Sequence, residues 1–169
     1  MRNKRIQLTL FVDGNKSEVI EKIRRQFNPE QYELIKSHVT LCREDELEPI
    51  EKVMQNLEEL NYPYVTIDLG PVVRFSEGKG VLMAPAGNNG QFHQLRELIL
   101  KGVMKNPRRQ DPHITLMHPR NSTCSDRIFQ QIEKINLPGK IEFRKISLIE
   151  QEERKKWKIL KEYKLKKKV

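Results

Sequence analysis

One pattern occurs twice in this chain, and the repetition restricts the fold more than any single segment does. The tetrapeptides HVTL at 38–41 and HITL at 113–116 each place a histidine two residues before a threonine, with apolar neighbours. The same succession of periodicities surrounds both. In the first copy, alternation predicts a β-rich strand over 5–12. Val19, Ile20, Ile23 and Phe27 predict a helix over 16–28 with Ser17 as its N-cap. A short strand follows at 37–42, then a helix over 45–60 with Leu47, Ile50, Met54, Leu57 and Leu60 on one face, then a strand at 64–75. After a turn at 76–79 the order restarts: strand 80–87, helix 89–104, strand 113–117, helix 125–135 capped by Ser125 or Asp126, and strand 140–150. A further strand at 156–165 closes the chain.

The offsets agree as well as the order. Ile6 to His38 and Val81 to His113 are both 32 residues, and the next strand begins 26 residues on in one copy and 27 in the other, at Tyr64 and Lys140. This is a duplicated β-α-β-α-β unit, occupying approximately 5–75 and 80–165. The expected fold is α+β, with two pseudo-symmetric lobes. Each lobe is a mostly antiparallel sheet with helices on its outer side, and an active-site groove runs between them. Residues 1–169 are expected to form a single bilobal domain, since that length buries a sizeable core. Strand alternation puts His38 and Thr40 on one face and Val39 and Leu41 on the other. His113 and Thr115 stand likewise against Ile114 and Leu116, so a pseudo-twofold turns both polar faces toward a common cleft.

A lone strand histidine is ordinarily a hydrogen-bonded polar residue. Only four histidines occur in the chain, however, and two share this frame. An apolar–Thr/Ser–apolar triplet after a given histidine arises by chance on the order of one time in a hundred, so two in register demand a reason. Metal-free phosphoryl transfer supplies one. In-line displacement at phosphorus needs a base on the attacking oxygen and an acid on the leaving oxygen, and imidazole serves both roles near neutral pH. Threonine hydroxyls beside them donate to the non-bridging oxygens, whose charge must be stabilised.

Other classes fit less well. No HExxH or HxH occurs, and threonine is a poor zinc ligand, so neither a metal nor another cofactor is expected. Cys42 and Cys124 are the only cysteines, too few for a disulfide framework or paired CxxC sites, and a reducing cytoplasm is the expected compartment. No apolar run approaches the roughly 20 residues of a membrane span, and the N-terminus reads as a first strand and not a signal peptide. Lys and Arg number 32 against 23 Asp and Glu, a net charge of +9 that suits an anionic substrate. Nine of those cations fall in 154–169 with one Glu. That tail reads as an edge strand whose lysines discourage aggregation, with a polyanion footprint as the alternative.

With both tetrapeptides in repeat register, small size and basic charge, the chain resembles the 2H phosphoesterase superfamily. That group includes bacterial 2′-5′ RNA ligase-like proteins, RNA 2′,3′-cyclic phosphodiesterases and ADP-ribose cyclic phosphodiesterases. The resemblance implies that His38 and His113 are catalytic, that Thr40 and Thr115 bind phosphate, and that all four line the groove. It implies the opening of a cyclic phosphate, or the reverse, a ligation, on RNA ends or a small cyclic nucleotide, by a monomer. Some relatives carry an arginine five residues after a motif histidine. Arg43 holds that place after the first motif; His118 holds it after the second, with Arg120 two further on. These three are candidate substrate contacts. His93 reads as structural or exposed, and Phe11, Phe75 and Tyr64 as core, with base stacking as their alternative. A non-catalytic module for RNA ends or nucleotides is the rival class. The two titratable groups favour the enzyme, while hydrolase and ligase directions, and the identity of base and acid, stay open.

Overall fold

Alternation of Leu8 and Leu10 with Gln7 and Thr9 produces the first strand, β1 (Lys4–Phe11), in the computed structural model, which describes residues 3–167. Then come α1 (Asn15–Phe27), α2 (Pro29–Leu34), β2 (His38–Cys42), a 3-10 turn at Glu44–Glu46, α3 (Ile50–Glu58) and β3 (Val65–Phe75). The second run is β4 (Gly80–Pro85), α4 (Gly90–Leu100), β5 (Ile114–Met117), α5 (Asp126–Glu133), β6 (Lys140–Phe143), β7 (Lys145–Glu152) and β8 (Lys158–Lys164).

The departures from the sequence reading have local causes. Ser17 lies inside α1 and not at its cap, and its hydroxyl donates to the Gly14 carbonyl at 2.7 Å. The unanticipated α2 opens on Pro29, whose fixed φ suits a first helical position. Pro49 lacks an N–H and disfavours the helical region at Glu48, so the expected helix over 45–60 divides into the 3-10 turn and α3. α4 stops at Leu100 because Gly102, at φ 76°, turns the chain away. Ser125 does cap α5, accepting from the Ile128 N–H at 3.1 Å.

The expected strand at 140–150 breaks at Arg144 because its two parts join opposite ends of one sheet. The strand order is β6-β3-β4-β5-β2-β1-β7-β8, with every neighbouring pair antiparallel. The two lobes are thus two four-stranded halves, joined between β2 and β5 where Val39 stands opposite Ile114. β1 and β2 share their half with β7 and β8, while β4 and β5 share theirs with β3 and β6. The third strand of each repeat therefore crosses into the half that carries the other repeat's histidine. The sheet curls far enough for the lead-in to β3 to meet the chain leaving β8: the Tyr64 N–H donates to the Lys166 carbonyl at 2.9 Å, and the Lys166 N–H to the Tyr62 carbonyl at 2.8 Å. β6 and β8 are the edge strands, and Lys158, Lys161 and Lys164 line β8.

A single core serves both halves. α1 packs on β5 while α4 packs on β2 and β3, so each helix rests on strands of the other repeat. Ile20, Ile23, Phe92, Leu95 and Ile99 join Val39, Leu41, Ile114 and Leu116 in one buried cluster. No helix among the described residues is long and apolar enough to cross a membrane.

One ion pair is sealed into this core. Arg96 of α4 donates to the Leu41 carbonyl at the end of β2 at 2.5 Å and to Glu46 Oε2 at 2.6 Å. The two side chains are 4% and 1% exposed. Burial pushes the Glu46 carboxyl up, but the Arg96 guanidinium and the Arg43 N–H outweigh it and hold the group below the usual carboxylate range. Removing one partner strands the other charge. Arg96→Met is expected to cost about 3–5 kcal/mol of stability, measured by urea denaturation, and adding Glu46→Leu is expected to restore much of it. Because folding lowers this carboxyl's pKa, the wild-type advantage is present above the unfolded value and fades as pH falls through the folded one. An unchanged urea midpoint in Arg96→Met would show that the pair does not hold β2.

Candidate active site

With the apolar members of β2 and β5 sealed in the core, the other face of the joint carries the polar members. Val39 opposite Ile114 in an antiparallel register places His38 beside Thr115 and Thr40 beside His113. All four line one cavity of about 180 Å³. A larger hollow of about 310 Å³, bordered by Phe11, Leu34, Trp157 and Ile159, contains none of them.

The two imidazoles are held in the same way. His38 Nδ1 lies 2.8 Å from the Lys36 carbonyl, and His113 Nδ1 lies 3.1 Å from the Asp111 carbonyl, each two residues upstream. A carbonyl only accepts, so Nδ1 carries the proton and Nε2 is left as the free ring nitrogen on each side. Upstream of His38 the chain is clamped by α1. Glu21 accepts from the Ser37 N–H at 2.5 Å and from Arg24 at 2.8 Å, and Arg24 donates onward to the Ile35 carbonyl at 2.6 Å. Arg24 is buried, and burial lowers its pKa although Glu21 pulls the other way.

The rings differ in surroundings. His38 has Phe11 edge-on, with centroids 6.1 Å apart. Its ring keeps some surface open to the cavity, yet protein crowds it closely. Burial pushes its pKa down to about 4, the Lys36 carbonyl opposes this, and Arg24 and His113 push further down. His38 is therefore neutral at physiological pH, an acceptor at Nε2.

Thr40 is prepared as a donor. Gln7 of β1 gives its amide N–H to Thr9 Oγ1 at 2.7 Å and to Thr40 Oγ1 at 3.2 Å, which leaves the Thr40 proton for a ligand. Gln110 donates to the Thr40 carbonyl at 2.8 Å.

Of the candidate contacts, His118 and Arg120 line this cavity. Arg43 does not; it lines an adjoining hollow of about 460 Å³. His118 Nδ1 accepts from the Arg120 N–H at 3.1 Å, so its neutral ring keeps the proton on Nε2 and is a donor, the opposite tautomer to the other two. Burial, then Arg120 and Arg5, lower its pKa. His93 lies on α4, with Nε2 4.0 Å from Asp111. Tyr64 packs on the core beneath the Arg144 guanidinium. Phe75 is half-buried and borders none of these hollows.

Arg5, Gln7, Arg24 and Trp157 also line the cavity and were missed in the sequence. Arg5, Gln7 and Thr9 do form the polar side of an alternating strand, a signal that was legible. Arg24 and Trp157 gave none, because the crossing of α1 and the β7–β8 connection bring them in. Burial raises the Cys42 thiol to about 12, so it is no nucleophile. Among the described residues no three His, Cys, Asp or Glu side chains gather as a metal ligand set. Two Nε2 atoms and two hydroxyls thus share a small cationic cavity, a set able to move protons on either side of an anionic centre.

Comparison with curated protein sequences found no match. Crystal structures of E. coli LigT, complexed with phosphate and with 3′-AMP, superpose with TM-scores of 0.65 and 0.66 at 17% and 16% identity. Each match covers 99% of this chain and 100% of LigT. A crystal structure of a phosphoesterase superposes with a TM-score of 0.63 at 15% identity, covering 98% of this chain and 100% of that one. At such identities the likeness establishes the fold. The model of the 2′-5′ RNA ligase superfamily matches residues 12–155, which span most of the sequence, and the chain belongs to that superfamily.

Proposed function

We propose that this chain is a metal-independent phosphoesterase that opens a 2′,3′-cyclic phosphate of RNA or of a related cyclic nucleotide. The observation that carries the reading is the pair of Nδ1-anchored imidazoles in one cavity with two threonine hydroxyls. E. coli LigT, which shares the fold, has been crystallised with phosphate and with 3′-AMP, and this supports a phosphate-bearing ligand. Two free, buried cysteines favour the cytoplasm, and a monomer is the proposed state.

In the hydrolytic direction His38 Nε2 takes a proton from water as its oxygen bonds to phosphorus. The bond from phosphorus to one ribose oxygen breaks, and His113, acting in its doubly protonated form with Nδ1–H still on the Asp111 carbonyl, gives its Nε2 proton to that oxygen, leaving a ribose phosphate monoester. His38 takes the base role because burial keeps it neutral. Thr40 and Thr115 donate to the non-bridging oxygens, where charge accumulates. Ligation follows the same path with the hydroxyl of a second chain in place of water: its oxygen bonds to phosphorus as the ring bond breaks, and a phosphodiester is left.

His38→Ala and His113→Ala are each expected to lower turnover on nucleoside 2′,3′-cyclic phosphates by roughly 10²-fold or more. Thr40→Ala and Thr115→Ala are expected to cost less, about 1.5–3 kcal/mol for one charge-assisted bond. The double histidine variant should be far less impaired than the product of the singles. Near-wild-type turnover in either single histidine variant would remove the acid–base assignment.

Turnover is expected to survive exhaustive EDTA treatment. Loss on chelation, with recovery on adding zinc or manganese, would make the histidines ligands.

The profile of kcat/KM against pH is expected to be bell-shaped. The base must be unprotonated, and its pKa lies at about 4, so the acidic limb persists well below 6.5 and falls as pH drops through about 4. An acidic limb centred at 6.5 or higher would show that His38 is not the base.

A further inference from the structure

The hollow beside the catalytic cavity holds cations that the fold leaves unneutralised. Its boundary with that cavity is formed by Arg5, Gln7, Thr40, His118, Arg120 and Trp157, which border both. Six other arginines face a carboxylate: Arg24, Arg74, Arg96, Arg108, Arg109 and Arg144. Among the described residues Arg5, Arg43 and Arg120, all of which line this hollow, have no such partner. Arg5 donates to the neutral amide of Gln151 and lies 5.2 Å from the centre of the Trp157 ring. Burial, then repulsion from Arg5 and Arg154, lowers the pKa of Arg120. Glu44 and Asp45 also line this hollow but not the catalytic cavity, and Asp45 faces Arg108 at 3.3 Å. The inner wall thus offers two guanidiniums, the Nε2–H donor of neutral His118 and an indole surface. Guanidiniums bind phosphate oxygens by paired, charge-assisted bonds, and an indole suits the face of a nucleoside.

We propose that this inner wall is a second phosphate subsite. The favoured substrate then carries another phosphate, linked through a nucleoside to the one that reacts. An oligonucleotide end and a nucleotide with a 5′-phosphate share that chemistry; a lone nucleoside cyclic phosphate lacks it. The inference rests on the reading above for the phosphate between the histidines.

Equilibrium binding of product-like ligands tests the subsite without turnover. Adenosine 3′-phosphate, adenosine 3′,5′-bisphosphate and the dinucleotide ApA 3′-phosphate would be titrated calorimetrically into wild type, Arg5→Gln and Arg120→Gln. Lys164→Gln, on exposed β8, controls for net charge. The bisphosphate or the dinucleotide is expected to bind wild type about tenfold tighter than the monophosphate. That gap should shrink in both arginine variants and persist in Lys164→Gln. A gain shared by the dinucleotide identifies an RNA end, and a gain confined to the bisphosphate identifies a small nucleotide. Equal affinities in wild type, equal weakening of all three ligands by the arginine changes, or the same shrinkage in Lys164→Gln would overturn the subsite. Absence of turnover on every cyclic phosphate with the gap intact would remove the catalytic reading alone; turnover without a gap would remove the subsite alone.

Discussion

The site depends on one strand pairing. β2 and β5 meet at Val39 and Ile114, and that narrow joint holds together two halves of an eight-stranded sheet. Its apolar side is closed by α1 and α4, so the joint is both the middle of the core and the floor of the cavity. A slip of one residue in register would bury the histidines and expose Val39 and Ile114, which hydrophobic burial forbids. The constraint that folds the protein therefore also fixes the geometry of its four polar groups.

Symmetry of position is combined with asymmetry of environment. Both imidazoles lean on a carbonyl two residues back, which fixes the same tautomer on both sides without any acidic partner. What separates them is the wall around His38: Phe11 at its edge and the buried Arg24, paired with Glu21, on the chain just upstream of it. Neither belongs to a motif. They come from β1 and α1, whose apolar faces are sealed in the same core as Val39 and Ile114.

Much of this was legible in the sequence, for identifiable reasons. Strand alternation sorts His38 and Thr40 from Val39 and Leu41 whatever the tertiary fold, and equal offsets place the second set in the same role. The α+β class followed from the order of periodicities. Three kinds of feature were not legible. α2 is a short helix whose only local signal is Pro29. The break at Arg144 reflects which strands β6 and β7 pair with, a long-range matter that a continuous alternating run conceals. Arg24 and Trp157 enter the cavity through packing geometry, and neither residue type on a helix face or a loop announces a site. Arg43 shows the converse: its sequence offset pointed to the cavity of the two histidines, but the turn after β2 carries it to the neighbouring hollow.

The crossing of β3 and β7 between the halves has a consequence for where such a chain can come from. A polypeptide carrying only β1 to β3 and their helices could not close its own core, because β3 finds its partner beside the other repeat's histidine strand. Two copies of that half-length chain could, each lending its third strand to the other around a twofold at the joint. The topology of the present protein is that of such a strand-swapped pair with its two chains joined end to end. Once fused, the halves are free to diverge, and a wall crowded around one histidine alone is a difference that no pair of identical chains could have evolved.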